Sequence, residues 1–154
     1  MADKLIIEIF REKNAEEFTK ALAAPDSRLE TGSAAAMTAA VAMSLAARAA
    51  AACDQSGEKA QYIARNIETL RGYMVHLIDE DVKSRGPLRR AIKEGDARTI
   101  EAARQPAVCI DQEIINMMGQ ALELIAGLAE ICPKDSMHYV GEAAELAFDA
   151  HRSE

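Results

Sequence analysis

Tryptophan is absent from this chain of 154 residues, and phenylalanine and tyrosine supply three residues each, so aromatics make up only 4%. Alanine dominates instead, a composition that suits packed helices and fits sheets poorly. Basic charge is also in short supply. Eighteen Lys and Arg against twenty-five Asp and Glu leave a net charge of −7. An acidic chain is repelled by phosphate backbones, so nucleic acid is not expected as a general partner. Cysteine is limited to Cys53, Cys109 and Cys132, an odd set without metal-ligand spacing. These read as small buried residues of a reducing, cytoplasmic compartment. The start of the chain lacks a basic region followed by an apolar core and a cleavage site, so no secretory leader is expected. No phosphate loop, dinucleotide fingerprint or Glu-x-x-His pair occurs, which argues against nucleotide and di-iron chemistry. No metal site is expected.

The most conspicuous stretch present is Glu30 to Asp54. Twelve of the nineteen residues from Ala34 to Ala52 are alanine, and Arg48 is the single charge among them. Alanine has the highest helix propensity and loses no side-chain entropy on ordering. The run therefore predicts a thin, smooth helix whose neighbours approach its backbone closely. Leu, Ile and Phe are too sparse in it to support a membrane span. Ser33 is a candidate N-cap, and Gly32 permits a sharp turn before it. A helix start with free N–H groups also makes Gly32 and Ser33 a candidate seat for an anion or polar ligand.

Apolar periodicity places the other elements. Lys4 to Phe10 reads as a strand or a first helical turn. Asn14, followed by Glu16 and Glu17, signals the start of a helix ending before Pro25. A long helix is expected from about Glu58 to Lys83, with Tyr62, Ile63, Ile67, Leu70, Met74, Leu77, Ile78 and Val82 as its stripe. Ser84-Arg85-Gly86-Pro87 should end it. A short basic piece follows, from Leu88 to Glu94. Another helical pattern runs from Ala97 to Ile131, which Pro106 should kink or split. The last helix, capped by Asp135 or Ser136, carries Val140, Ala143, Ala144, Leu146, Ala147 and Phe148. The sum is a single all-α domain over 1–154, an up-and-down bundle of five or six helices. Stripes this long leave surface to cover, and a homodimer is expected.

The densest group of chemistry-bearing residues is His76, Asp79, Glu80 and Asp81. Spacings of three and four place His76 on one helix face with Asp79 and Glu80. A carboxylate beside an imidazole raises its pKa and fixes its tautomer, which suits general acid–base work. The alternative is a solvated acidic face. Asp79 and Asp81 lie two apart, so they point to different faces and one alone would act directly. The basic cluster Lys83, Arg85, Arg89, Arg90 and Lys93 either complements a helix C-terminus or holds a carboxylate ligand in an arginine fork.

Two stretches together carry a family resemblance: Gly32-Ser33-Ala34-Ala35-Ala36 with its small-residue run, and Ile78-Asp79-Glu80-Asp81-Val82 on the long helix. The chain resembles the cyclodeaminase/cyclohydrolase family, which holds formimidoyltetrahydrofolate cyclodeaminases and a class of methenyltetrahydrofolate cyclohydrolases. The resemblance implies a tetrahydrofolate derivative as substrate, with no further cofactor, and chemistry at its N5/N10 one-carbon bridge. It implies acid–base roles for Asp79 first and Asp81 second, helped by His76. It also suggests Arg85 and Arg89 as a seat for the glutamate tail. Family members typically carry Pro-Gly-Gly-Gly-Ser where this chain has Leu29-Glu30-Thr31-Gly32-Ser33. A later Ser-Asp is replaced by His138-Tyr139. Those departures keep two other readings open, a ligand-binding relative without catalysis and a structural helical dimer.

Overall fold

The computed structural model describes residues 9–152. Among them are five α-helices and no strand: α1 (Ala15–Ala23), α2 (Thr31–Ala51), α3 (Glu58–Glu94), α4 (Ala97–Ala129) and α5 (Met137–Arg152). Two short 3-10 turns, Phe10–Glu12 and Lys134–Ser136, precede α1 and α5. Of the apolar run Lys4 to Phe10, Leu5, Ile6 and Ile7 lie outside the described residues, and Phe10 opens the first 3-10 turn.

Asn14 caps α1 as its chemistry dictates. Its side chain accepts from the Glu17 N–H at 2.9 Å, and the Glu17 carboxylate accepts from the Asn14 N–H at 3.3 Å. This reciprocal box satisfies two donors that the helix itself leaves free. At its other end α3 stops at Gly95, whose φ of +78° is the left-handed conformation that glycine adopts without cost. Asp96 then caps α4 by accepting from the Thr99 N–H at 2.8 Å.

Helices α2 to α5 form the bundle. α2 packs along α3 and α5, α4 packs along the same two, and α2 meets α4 across the middle. Alanine makes this closeness possible: Ala36, Ala39, Ala42, Ala46 and Ala49 of α2 are fully buried. Larger side chains fill what remains, with Met43, Ile67, Met74, Leu77, Ile78, Ile114, Met118 and Leu128 sealed from solvent. By length and composition α2 could cross a membrane, but half of its apolar stretch is buried against the other helices, as in the core helix of a bundle.

Three expectations fail locally. α2 begins at Thr31 with Glu30 as N-cap, and no side chain caps it. Ser33 is therefore not the cap, and Gly32 does not form a turn; both sit buried inside the first helical turn. α3 does not end at Lys83 but continues through Gly86 and Pro87 to Glu94. Proline removes one helical donor there, yet Arg85 and Arg89, on either side of Pro87, are tied to carboxylates of other elements. α4 likewise runs unbroken through Pro106, next to the buried Ala107. At about 1.5 Å per residue, α3 spans roughly 55 Å and α2 roughly 30 Å. Asp135 and Ser136 belong to the second 3-10 turn, which runs straight into α5.

Candidate functional site

The first turn of α2 faces the middle of α3, and five of the seven residues singled out in the sequence meet there. Asp81 is completely buried. Its Oδ2 accepts from the Ser33 hydroxyl at 2.6 Å, and its Oδ1 accepts from Arg85 Nε at 2.7 Å. The carboxylate lies so close to Gly32 that a Cβ there would fall 2.5 Å from Oδ1. Gly32 is thus required by a close approach, and the negative charge rests on the positive end of the α2 dipole.

Arg85 extends the network. Its Nη2 donates to Asp111 Oδ1 on α4 at 2.5 Å, and Glu30 Oε2 lies 3.7 Å from Nη1. Burial pulls the guanidinium pKa down; the hydrogen bond and charge of Asp81, with the charges of Asp111 and Glu30, outweigh it and hold the group above its ordinary value. Arg89 donates from Nε to Glu30 at 2.8 Å and from Nη2 to the Arg28 carbonyl at 2.7 Å. Both arginines that suggested a carboxylate seat are therefore occupied by the chain's own acceptors. Glu30, one of the departures from the Gly-rich family pattern, is central to that occupation.

Asp79 and His76 stand apart from this network. Asp79 is 6% exposed, and its Oδ1 accepts from the Phe10 N–H at 2.7 Å and the Arg11 N–H at 3.4 Å. It anchors the 3-10 turn onto α3, as a capping carboxylate would. Its Oδ2 accepts no hydrogen bond and lies 3.5 Å from Arg11 Nε. Arg11 also reaches His76, with Nη1 at 3.1 Å from the imidazole Nδ1. The carboxylate beside the His76 ring is that of Glu80, 3.7 Å from Nε2.

His76 lies at one end of a groove of about 780 Å³ between α3 and α4, within the usual size range of small-molecule sites. Ile63, Leu70, Met117 and Leu124 give it apolar walls, while Asn66 and Gln120 supply polar groups. Gly72 and Gly127 keep it open, and Lys59, paired with Glu130, marks the far end. Tyr73 lies beside His76, with ring centroids 6.2 Å apart, and donates its hydroxyl to Glu113 of α4. That hydrogen bond, then burial, then the charges of Glu113 and Glu80 raise the Tyr73 pKa. Tyr73, Glu113, Asp111 and Arg11 are members of these clusters that sequence spacing did not single out. His138 is elsewhere, against Tyr139, whose other neighbour is Arg48.

The arrangement can do two kinds of chemistry. The Asp81 network has at its centre a fully buried carboxylate held by Ser33 and Arg85, which suits holding helices together. The groove end offers an exposed imidazole beside a carboxylate and a phenol beside another, which suits proton transfer to a bound molecule.

A family model described as formiminotransferase-cyclodeaminase matches residues 14–154. Among solved structures, the crystal structure of formiminotetrahydrofolate cyclodeaminase from Thermotoga maritima superposes with a TM-score of 0.85 at 18% identity, covering 92% of this chain and 74% of that one. A search of curated proteins gives no match. At that identity the solved structure speaks for the fold alone, and the all-helical bundle is common to both. The match over residues 14–154 settles kinship: the chain belongs to the formiminotransferase-cyclodeaminase family.

Proposed function

We propose that this protein is a folate-dependent enzyme acting on the one-carbon bridge of a tetrahydrofolate derivative, with the substrate lying in the groove between α3 and α4. Family membership supplies the substrate class, and the Tyr73–His76 end of the groove is the observation that carries the chemistry. A pterin offers amide and amino groups suited to Asn66 and Gln120, and its aminobenzoyl part suits the apolar walls. Arg85 and Arg89 are held by Glu30, Asp81 and Asp111 and do not line the groove; Lys59 does, its pairing with Glu130 is solvent-exposed and therefore weak, and it is the cation toward which the glutamate tail points.

Two reactions fit this reading. In a cyclodeamination, one folate nitrogen attacks the formimino carbon and ammonia leaves. In a cyclohydrolysis, water adds to the methenyl carbon and the ring C–N bond opens. Both pass through a tetrahedral carbon and move a proton onto or off nitrogen or oxygen. His76, backed by Glu80, is the proposed general acid–base group. Asp81 and Asp79 act as positioning residues: Asp81 fixes α3 against α2, and Asp79 holds the turn that brings Arg11 to His76. A homodimer belongs to the same proposal. Val41 is 46% exposed on α2, with Met37 and Leu45 half-buried near it, and such an apolar face on the central helix supports a second copy.

Turnover of formimino- and methenyltetrahydrofolate by the wild-type chain and by His76→Ala tests the assignment. The variant should lose about 10²- to 10⁴-fold in kcat on whichever substrate is used, while its helical content is unchanged. Full activity in the variant would remove His76 from the chemistry. A second reading, a folate binder without catalysis, is favoured by the burial of Asp81 under Arg85; binding without turnover of either substrate would select it.

A further inference from the structure

Tyr73 stands between the groove and a carboxylate outside it. Its side chain is part of the groove wall, whereas Glu113 of α4 is not. The phenol donates its hydrogen to Glu113 across the contact between α3 and α4. A phenol carries one hydrogen, and this one is spent on the carboxylate. Toward a molecule in the groove the Tyr73 oxygen therefore acts as an acceptor. The Glu113 hydrogen bond, then burial, then the charges of Glu113 and Glu80 raise its pKa. Tyr73 thus stays a phenol at neutral pH and is suited to passing a proton on, not to storing charge. His76 follows three residues later on the same face of α3, with ring centroids 6.2 Å apart. Its own carboxylate is Glu80, 3.7 Å from Nε2. One end of the groove therefore carries two separate acid–base pairs, an imidazole with Glu80 and a phenol with Glu113.

We propose that Tyr73 is a second catalytic residue, a relay that takes the proton of the attacking nucleophile and hands its own to Glu113, while His76 serves the leaving group. The proposal rests on the folate reading above and adds the direction of proton flow to it. In a cyclodeamination the substrate's formimino group is a protonated amidine. The attacking folate nitrogen forms its bond to the formimino carbon and gives its proton to the Tyr73 oxygen, as the phenol proton moves to Glu113. His76 then gives a proton to the amino group, the bond from that nitrogen to carbon breaks, and ammonia leaves. One proton is taken and one is given. In a cyclohydrolysis the attacking water gives its first proton to the same relay. The leaving ring nitrogen receives one from His76, and the second water proton goes to solvent as the carbonyl forms. Glu113 touches no substrate in either case; it is a positioning residue that acts through Tyr73.

Glu113→Gln separates this role from a purely structural one. The amide oxygen still accepts from the phenol, so Tyr73 keeps its place, but an amide takes up no proton. The full chain and the variants Glu113→Gln, Tyr73→Phe and the double variant are compared by turnover of formimino- and methenyltetrahydrofolate and by tyrosine fluorescence. Tryptophan is absent, so the emission comes from Tyr62, Tyr73 and Tyr139 alone. A carboxylate that accepts from a phenol quenches it, and Glu113→Gln should therefore brighten the protein, while the double variant should not differ from Tyr73→Phe. On the substrate that the wild type turns over, each single variant should lose about 10²-fold or more in kcat with KM little changed. The double variant should be no slower than the slower single one, because both changes break one path. Unchanged emission in Glu113→Gln would show that the pair is not formed and would overturn the proposal whatever the activity. Brighter emission with full kcat would overturn it too, leaving the pair as a tie between α3 and α4. Brighter emission with no turnover by the wild type would remove the folate reading and the relay together, and keep the hydrogen-bonded pair.

Discussion

Gly32→Ala is expected to destabilise the protein by about 3 kcal/mol, although alanine is the better helix former. The intrinsic preference favours alanine by up to ~1 kcal/mol in a helix interior. Against it stands the position of the new methyl group, 2.5 Å from Asp81 Oδ1 and 2.8 Å from its Cγ. A long exposed side chain would swing aside at little cost. Asp81 is short, fully buried and held on both oxygens, by Ser33 and by Arg85. Relieving the overlap means pulling the carboxylate off one partner, and breaking a buried, hydrogen-bonded ion pair costs about 3–5 kcal/mol. Urea unfolding at fixed protein concentration measures the difference, since an oligomer makes the midpoint concentration-dependent. A loss below about 1 kcal/mol would mean that the carboxylate does not sit on this turn.

Asp81→Ala should cost about as much or more, roughly 3–5 kcal/mol. The substitution leaves the Ser33 hydroxyl without its acceptor in a fully buried position. It also strips Arg85, 15% exposed, of its closest carboxylate on α3. Asp111 and Glu30 still neutralise the guanidinium, which keeps the cost from rising further. The two substitutions are predicted to be strongly non-additive. With Asp81 gone, the methyl group of Gly32→Ala meets no carboxylate, so the double variant should be no less stable than Asp81→Ala alone. Such coupling is the signature of a shared contact. Simple addition of the two losses would place the damage from Gly32→Ala somewhere other than Asp81.

The sequence carried the bundle because helices announce themselves locally. The spacing of Ile63, Ile67, Leu70, Met74, Leu77 and Ile78 identified a buried stripe, and all six are buried. Asn14 with Glu17 announced the start of α1 in the same way. Tyr62 fits that stripe by spacing, yet it is 57% exposed and lines the groove, because α4 does not cover it fully. The prolines misled for a related reason. Pro87 and Pro106 weaken one helical bond each; at Pro87, ion pairs to Glu30 and Asp111, far away in sequence, flank the break, and at Pro106 the helix runs on beside the buried Ala107. The site was half legible. Gly32, Ser33, Asp81, Arg85 and Arg89 were marked by residue type and family likeness, but the carboxylates that occupy the arginines, Glu30 and Asp111, come from other elements. Tyr73 and Glu113 are forty positions apart, and no local pattern records that pairing. His76 was singled out with Asp79 as well as Glu80; folding gives its imidazole to Glu80 and Arg11, and gives Asp79 to the N-terminal turn.

The central claim is that a tetrahydrofolate derivative occupies the groove between α3 and α4. Calorimetric titration with 5-formyltetrahydrofolate tests it, using the wild-type chain and Gly72→Trp. Gly72 lines the groove with open space where a Cβ would be, so tryptophan there fills the groove without disturbing the core. The account predicts micromolar binding by the wild type, about −8 kcal/mol, and at least a tenfold loss in a variant that keeps its thermal stability. No binding by the wild type at high protein concentration, or equal binding by both proteins, would contradict it.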